Sequence, residues 1–81
     1  MNASTMTLEE WAHANGLWPE DLTRRQVNYY LRHVRMVPDS YIRRAQREVR
    51  KLEANGYPME GIEYHDHLEA RITEYVNAQY R

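Results

Sequence analysis

Two stretches of the chain spell the same helix start. Thr7-Leu8-Glu9-Glu10 and Thr23-Arg24-Arg25-Gln26 each place a threonine three residues ahead of Glu or Gln. At that spacing the two side chains satisfy each other's free backbone N–H groups, which makes a capping box. Met6 with Trp11, and Leu22 with Val27, sit where apolar side chains staple across such caps. Helices are therefore expected to start at positions 7 and 23. The first buries Leu8, Trp11 and Ala12 and stops at Asn15-Gly16, and "LWPED" then makes a short turn. The second carries Val27, Leu31 and Val34 inward at helical spacing, with Tyr30 beside them, and ends at Pro38.

The second half continues in the same period. Asp39 or Ser40 is placed to cap a third helix over roughly 41–54, with Ile42, Ala45, Val49 and Leu52 as its inner row and Asn55-Gly56 as its stop. "YPMEGI" reads as a loop. A fourth helix over about 63–79 uses Leu68, Ile72, Tyr75 and Val76. No stretch alternates as a strand and none repeats. The expected fold class is all-α: a small four-helix domain with a helix-turn-helix-like unit at 7–38 and two further helices in 39–81. Residues 1–6 are expected to form a flexible lead. Eighty-one residues suffice for one domain with a thin stability margin. No cysteine is present, so disulfides are excluded, which fits a reducing compartment. No window nears the ~18 apolar residues of a membrane span, and the first residues lack a signal-peptide hydrophobic region.

A net charge of −1 conceals strong segregation. Residues 1–21 carry a balance of −4 and residues 52–81 another −4. Residues 22–51 carry nine basic groups against Asp39 and Glu48, or +7, and eight of the nine are arginine. A phosphate backbone meets that local field rather than the whole-chain charge. Arg25, Asn28, Tyr29, Arg32 and Arg35 are expected on the open side of the second helix. Arg43, Arg44, Arg47, Arg50 and Lys51 are expected on the outside of the third. A helix-turn-helix unit presents the first turns of its second helix to base edges, where arginine forks onto guanine and asparagine onto adenine. Arg24, Arg25, Asn28 and Arg32 are accordingly the candidates for base or groove contact, with Tyr29 among them. Thr23 and the free amides at that helix start are candidates for holding a phosphate. Arg35, Arg43, Arg44, Arg47 and Lys51 are the candidates for phosphates along the groove.

The stretch "TLEEWAHANGLWPEDLTRRQVNYYLRHVRMVP" resembles the N-terminal part of the lambda-type phage excisionases, or recombination directionality factors, which are winged-helix relatives of the MerR-type DNA-binding domains. Leu8, Glu10 and Trp11 match the family's opening Leu-x-Glu-Trp, and Pro19 its proline-containing turn. Leu22 and Thr23, adjacent here, come close to its Leu-x-Thr helix entry, while Arg24, Arg25 and Tyr30 approximate its paired arginines and aromatic. Arg32, Arg35 and Pro38 match its closing Arg-x-x-Arg-x-x-Pro. No nucleophile–base pattern and no glycine-rich phosphate loop is present, so a non-enzymatic protein without cofactor is expected. The resemblance implies one that binds double-stranded DNA, bends it and steers a phage integrase toward excision. It also implies a cytoplasmic place in the host cell and a possible second role as a transcriptional regulator. In the family a two-stranded wing follows. Here "DSYIRRAQREVRKLEANG" reads as a helix, so a second basic helix would stand in the wing's place.

Other chemistries find little purchase. His65 and His67 lie two apart and would diverge by about 200° on a helix, the wrong spacing for a metal. They read as surface histidines, like His13 and His33. Glu63, Asp66, Glu69 and Glu74 read as outer-face acids. The basic middle of one copy could meet the acidic end of the next, giving head-to-tail association. The competing function is a protein-interaction module that offers its arginines and tyrosines to an acidic host protein.

Overall fold

Both capping boxes form. In the computed structural model, which describes residues 6–56 and 58–79, Thr7 Oγ1 accepts from the Glu10 N–H at 3.1 Å and Glu10 Oε1 from the Thr7 N–H at 2.9 Å. Thr23 and Gln26 repeat the pair at 3.2 and 2.9 Å. They open α1 (Leu8–Ala14) and α2 (Arg24–Tyr29). A 3-10 turn (Pro19–Asp21) lies between them, and α2 runs on into a π-helical turn (Tyr30–Val34). Then come α3 (Asp39–Glu53) and α4 (Gly61–Ala78). The chain is all-α, with no strand among the described residues. The expected lead at 1–6 falls mostly outside the described residues; Met6 is tied in, its carbonyl accepting the Tyr30 hydroxyl at 2.6 Å.

α2 with its π turn and α3 are the two arms of a helical hairpin. Arg32 meets Asp39 at the bend, and Arg24 meets Glu53 at the open end. α4 lies against both arms, and the whole forms a slab of 34 × 32 × 15 Å. The core is close to the set the helical spacing selects: Leu8, Ala12, Val27, Tyr30, Leu31, Ile42, Ala45, Val49, Leu68, Ile72 and Tyr75 are buried together with the staple residue Leu22. Trp11, Val34 and Leu52, also expected inward, are only partly buried against it. Burial of the Tyr30 ring pushes its phenol above its ordinary value, against the pull of Arg35.

Four details depart from the sequence expectation. α3 begins at Asp39, with Pro38 in the cap position and no side-chain cap, because the Asp39 carboxylate is taken by arginines. α4 begins at Gly61, earlier than expected. Val76 is exposed, while Tyr64 and Met59, the latter from the "YPMEGI" loop, are buried at the other end of α4 although neither is in the expected inner rows. The link between α1 and α2, residues 15–23, is more than a short turn, since Pro19 and Leu22 are buried within it.

Two backbone positions carry strain or need its absence. Gly61 has φ +59°, and its N–H donates to the Leu22 carbonyl at 3.0 Å, which pins α4 to the 3-10 turn. A Cβ there would lie 2.6 Å from the Glu20 carbonyl oxygen. Met36 has φ +56° at the end of the π turn, where the Arg35 N–H reaches the Tyr30 carbonyl at 3.0 Å and the Val37 N–H the Leu31 carbonyl at 2.9 Å. Glycine is the usual residue in that left-handed position.

Gly61→Ala is expected to destabilise by about 2 kcal/mol or more, from left-handed strain plus the clash. Met36→Gly, at a position already 69% exposed, is expected to stabilise by about 1 kcal/mol. Urea denaturation of both variants checks the pair. The capping box also makes a pH prediction. Its hydrogen bonds with Thr7 hold the Glu10 carboxyl below the ordinary 4.5. Its contribution to stability is therefore full above that value and lost as pH falls through the depressed one. Glu10→Gln, which keeps an acceptor, should flatten this part of an acid-denaturation curve.

Candidate nucleic-acid interface

Arg24 and Arg25 are neighbours in the first turn of α2, yet the helix sends them to opposite sides. Arg24 runs inward: Nε donates to the Met59 carbonyl at 2.8 Å and Nη1 to Glu53 Oε1 at 3.0 Å, while the guanidinium lies 4.9 Å from the centre of the Tyr64 ring. The other Glu53 oxygen pairs with Arg24 Nη2 and accepts the Met59 N–H at 3.1 Å. Arg24 is thus a clamp between α2, α3 and the loop before α4, and not the base reader that its position suggested. Arg25 stays exposed and has no ion pair among the described residues.

Asn28 is also withdrawn. The Tyr64 hydroxyl donates to its Oδ1 at 3.1 Å and faces Gln46 Nε2 at 3.4 Å, a polar tie among α2, α4 and α3. The expectation that Asn28 faces adenine is corrected by this half-buried bond. Thr23 is spent as the cap of α2. Arg35 pairs with Glu69 on α4 at 2.6 Å, so neither is a solvated group awaiting a partner. Glu69 is half-buried rather than an outer-face acid. His65 is no surface histidine either: its side chain is 12% exposed, wedged between Tyr30 and Glu69. Among the described residues no group of three His, Asp or Glu side chains could hold a metal ion.

What remains outside forms two rows that meet at one carboxylate. On α3, Arg43, Arg47 and Arg50 fall within about 60° of arc and about 10 Å of axis. All three are exposed, and Arg47 and Arg50 have no ion pair among the described residues. Arg50, expected on the outside of the helix but not among the contact candidates, lies within the same arc of about 60° and completes this ridge at its C-terminal end. Lys51 flanks it, 78% exposed and 3.0 Å from Glu48, whose carboxyl it holds below the ordinary value. Arg44 lies on the same flank as Lys51, its guanidinium 4.1 Å above the Tyr75 ring.

The second row is on α2. Arg25, Tyr29 and Arg32 share a face at helical spacing. Tyr29 is 53% exposed and its ring stacks on Trp11 at 6.1 Å and against His33 at 4.6 Å. Asp39 joins the rows, accepting from Arg32 Nε at 3.0 Å and pairing with Arg43 Nε at 2.7 Å. The outer face of α4 carries the opposite sign, with Glu63, Asp66 and Glu74 exposed. The clamp partners of Arg24 were not legible beforehand. Glu53, Met59 and Tyr64 stand far from it in the chain, at no helical spacing that would link them.

No family model, curated protein or solved structure matches this chain.

Removing a half-buried arginine that leaves Glu53 unpaired is expected to cost about 1–3 kcal/mol, whereas an exposed unpaired one stays within about 0.5 kcal/mol. Arg24→Ala should therefore lower the thermal midpoint by several degrees and Arg47→Ala leave it in place. Calorimetry on the two variants separates clamp from ridge.

Proposed function

We propose that this chain is a small, non-enzymatic DNA-binding protein that grips the phosphate backbone of the duplex with the outer face of α3. The observation that carries the reading is the ridge itself: Arg43, Arg47 and Arg50 on one exposed face with Lys51 beside them, and the carboxylates of α4 turned elsewhere. Arginine forks match phosphate oxygens, and a row of them releases condensed counterions on contact. Arg25 and Tyr29 are the residues left to touch a groove edge, with Arg32 beside them on the same face but paired with Asp39, since Arg24 and Asn28 are engaged inside the protein.

The finer role comes from the resemblance of residues 7–38. It is that of an excisionase acting with a phage integrase in the host cytoplasm, with a second role as a transcriptional regulator and with DNA bent by several copies side by side. Glu63, Asp66 and Glu74 would then face the ridge of the next copy in head-to-tail contact. No described helix is long and apolar enough to cross a membrane.

A second reading has one observation of its own. Trp18 is 65% exposed in the α1–α2 link and Tyr29 is 53% exposed. Exposed aromatics, with the unpaired Arg25 one helical turn from Tyr29, are the usual anchors of protein interfaces, which suits an acidic protein partner.

Fluorescence anisotropy with a random duplex at 50–200 mM salt decides between them. With three or four phosphate contacts, log K should fall by about 3 units per tenfold rise in salt, and Arg47→Ala or Arg50→Ala should flatten that slope by about one unit each. Absence of binding at the lowest salt contradicts the DNA reading and favours the protein partner.

A further inference from the structure

Asp39 is the one carboxylate among the described residues on which two guanidinium groups from different helices converge. Arg32 donates to Oδ1 from Nε at 3.0 Å and pairs with it through Nη2, while Arg43 Nε lies 2.7 Å from Oδ2. All three side chains face solvent, at 43%, 39% and 75% exposure for Arg32, Asp39 and Arg43. Exposed ion pairs add little to stability, so the fold has small need of this one. What the pair of forks recognises is a singly charged, two-oxygen anion. A phosphodiester has the same charge and the same fork-accepting oxygens.

We infer that Arg32 and Arg43 form a phosphate cradle that Asp39 occupies in the free protein. The cradle stands at the head of the α3 ridge, one helical turn before Arg47, so a backbone tracking the ridge runs into it. Asp39 is then a built-in competitor. A lone small anion gains little by displacing it, while a duplex already held by Arg47 and Arg50 presents its next phosphate at high local concentration. On that exchange the Asp39 side chain turns to solvent and both arginines move to the phosphate. The inference rests on the DNA-backbone reading for the source of the phosphate, but not for the geometry of the cradle.

The test compares wild type with Asp39→Asn, and with Asp39→Ser should the first variant fold poorly. Duplex binding is followed by anisotropy across salt, and the Nε–H NMR signals of Arg32 and Arg43 are followed with duplex and with inorganic phosphate. Asp39→Asn should bind duplex about fivefold more tightly, with a salt slope steeper by about one unit. Adding Arg43→Ala should abolish the gain, and adding Arg47→Ala should leave it. A variant that binds no better than wild type, while wild type binds normally, overturns the cradle and leaves the DNA reading standing. If duplex fails with both proteins but inorganic phosphate moves both arginine signals in the variant, the cradle holds for a small phosphorylated ligand and the DNA reading falls. Signals that move with neither ligand overturn the cradle.

Discussion

Arg24 leaves the first turn of α2 and meets the last turn of α3, the loop before α4 and the face of a tyrosine on α4. A small chain without disulfides has few ways to tie its ends together. This one uses a guanidinium whose donors find Glu53 and the Met59 carbonyl, while Glu53 also accepts the Met59 N–H. Each member of the group is satisfied by another. For that reason a half-buried ion pair is tolerable here, since a charge drawn from water must recover its lost hydrogen bonds. The clamp closes the open end of the α2–α3 hairpin, and Leu22, held by Gly61, seals the layer behind it. Tyr64, Asn28 and Gln46 add a second tie at mid-height.

The same clamp decides what the surface can offer. By drawing Arg24 inward, with Asn28 held beside it, the fold removes two groups from the helix turn that would otherwise face a groove. Arg35 is drawn to Glu69 in the same way. Of the cations left outside, Arg25, Arg43, Arg47 and Arg50 make no contact with α4 in an ion pair or over a ring, while Arg44 leans onto Tyr75. On the proposed DNA-binding reading, the surface that results suits a phosphate backbone more than base edges. The Arg32–Asp39–Arg43 junction makes its two rows continuous.

Much of the fold is legible because it is local. Thr7 with Glu10, and Thr23 with Gln26, are three residues apart, and capping boxes act over that distance. The inner rows of α2 and α3 follow from the helical period, and so does the ridge. What was not legible depends on contacts between distant segments. Nothing near Arg24 announces Glu53, and nothing in "YPMEGI" announces that Met59 is buried and Gly61 abuts the Glu20 carbonyl. Tyr64 read as one of several tyrosines around α4, and Asp39 as a cap. Both took other partners because arginines or amides from other helices arrive beside them.

The central claim is a division of labour among arginines that look alike in the sequence: Arg24 holds the protein together, and Arg43, Arg47 and Arg50 face the outside. Solvent exchange of the arginine Nε–H protons in the free protein tests it most directly. The account predicts slow exchange at Arg24, whose Nε–H is bonded to the Met59 carbonyl, and fast exchange at Arg47 and Arg50. Exchange at Arg24 as rapid as at Arg47 would contradict it.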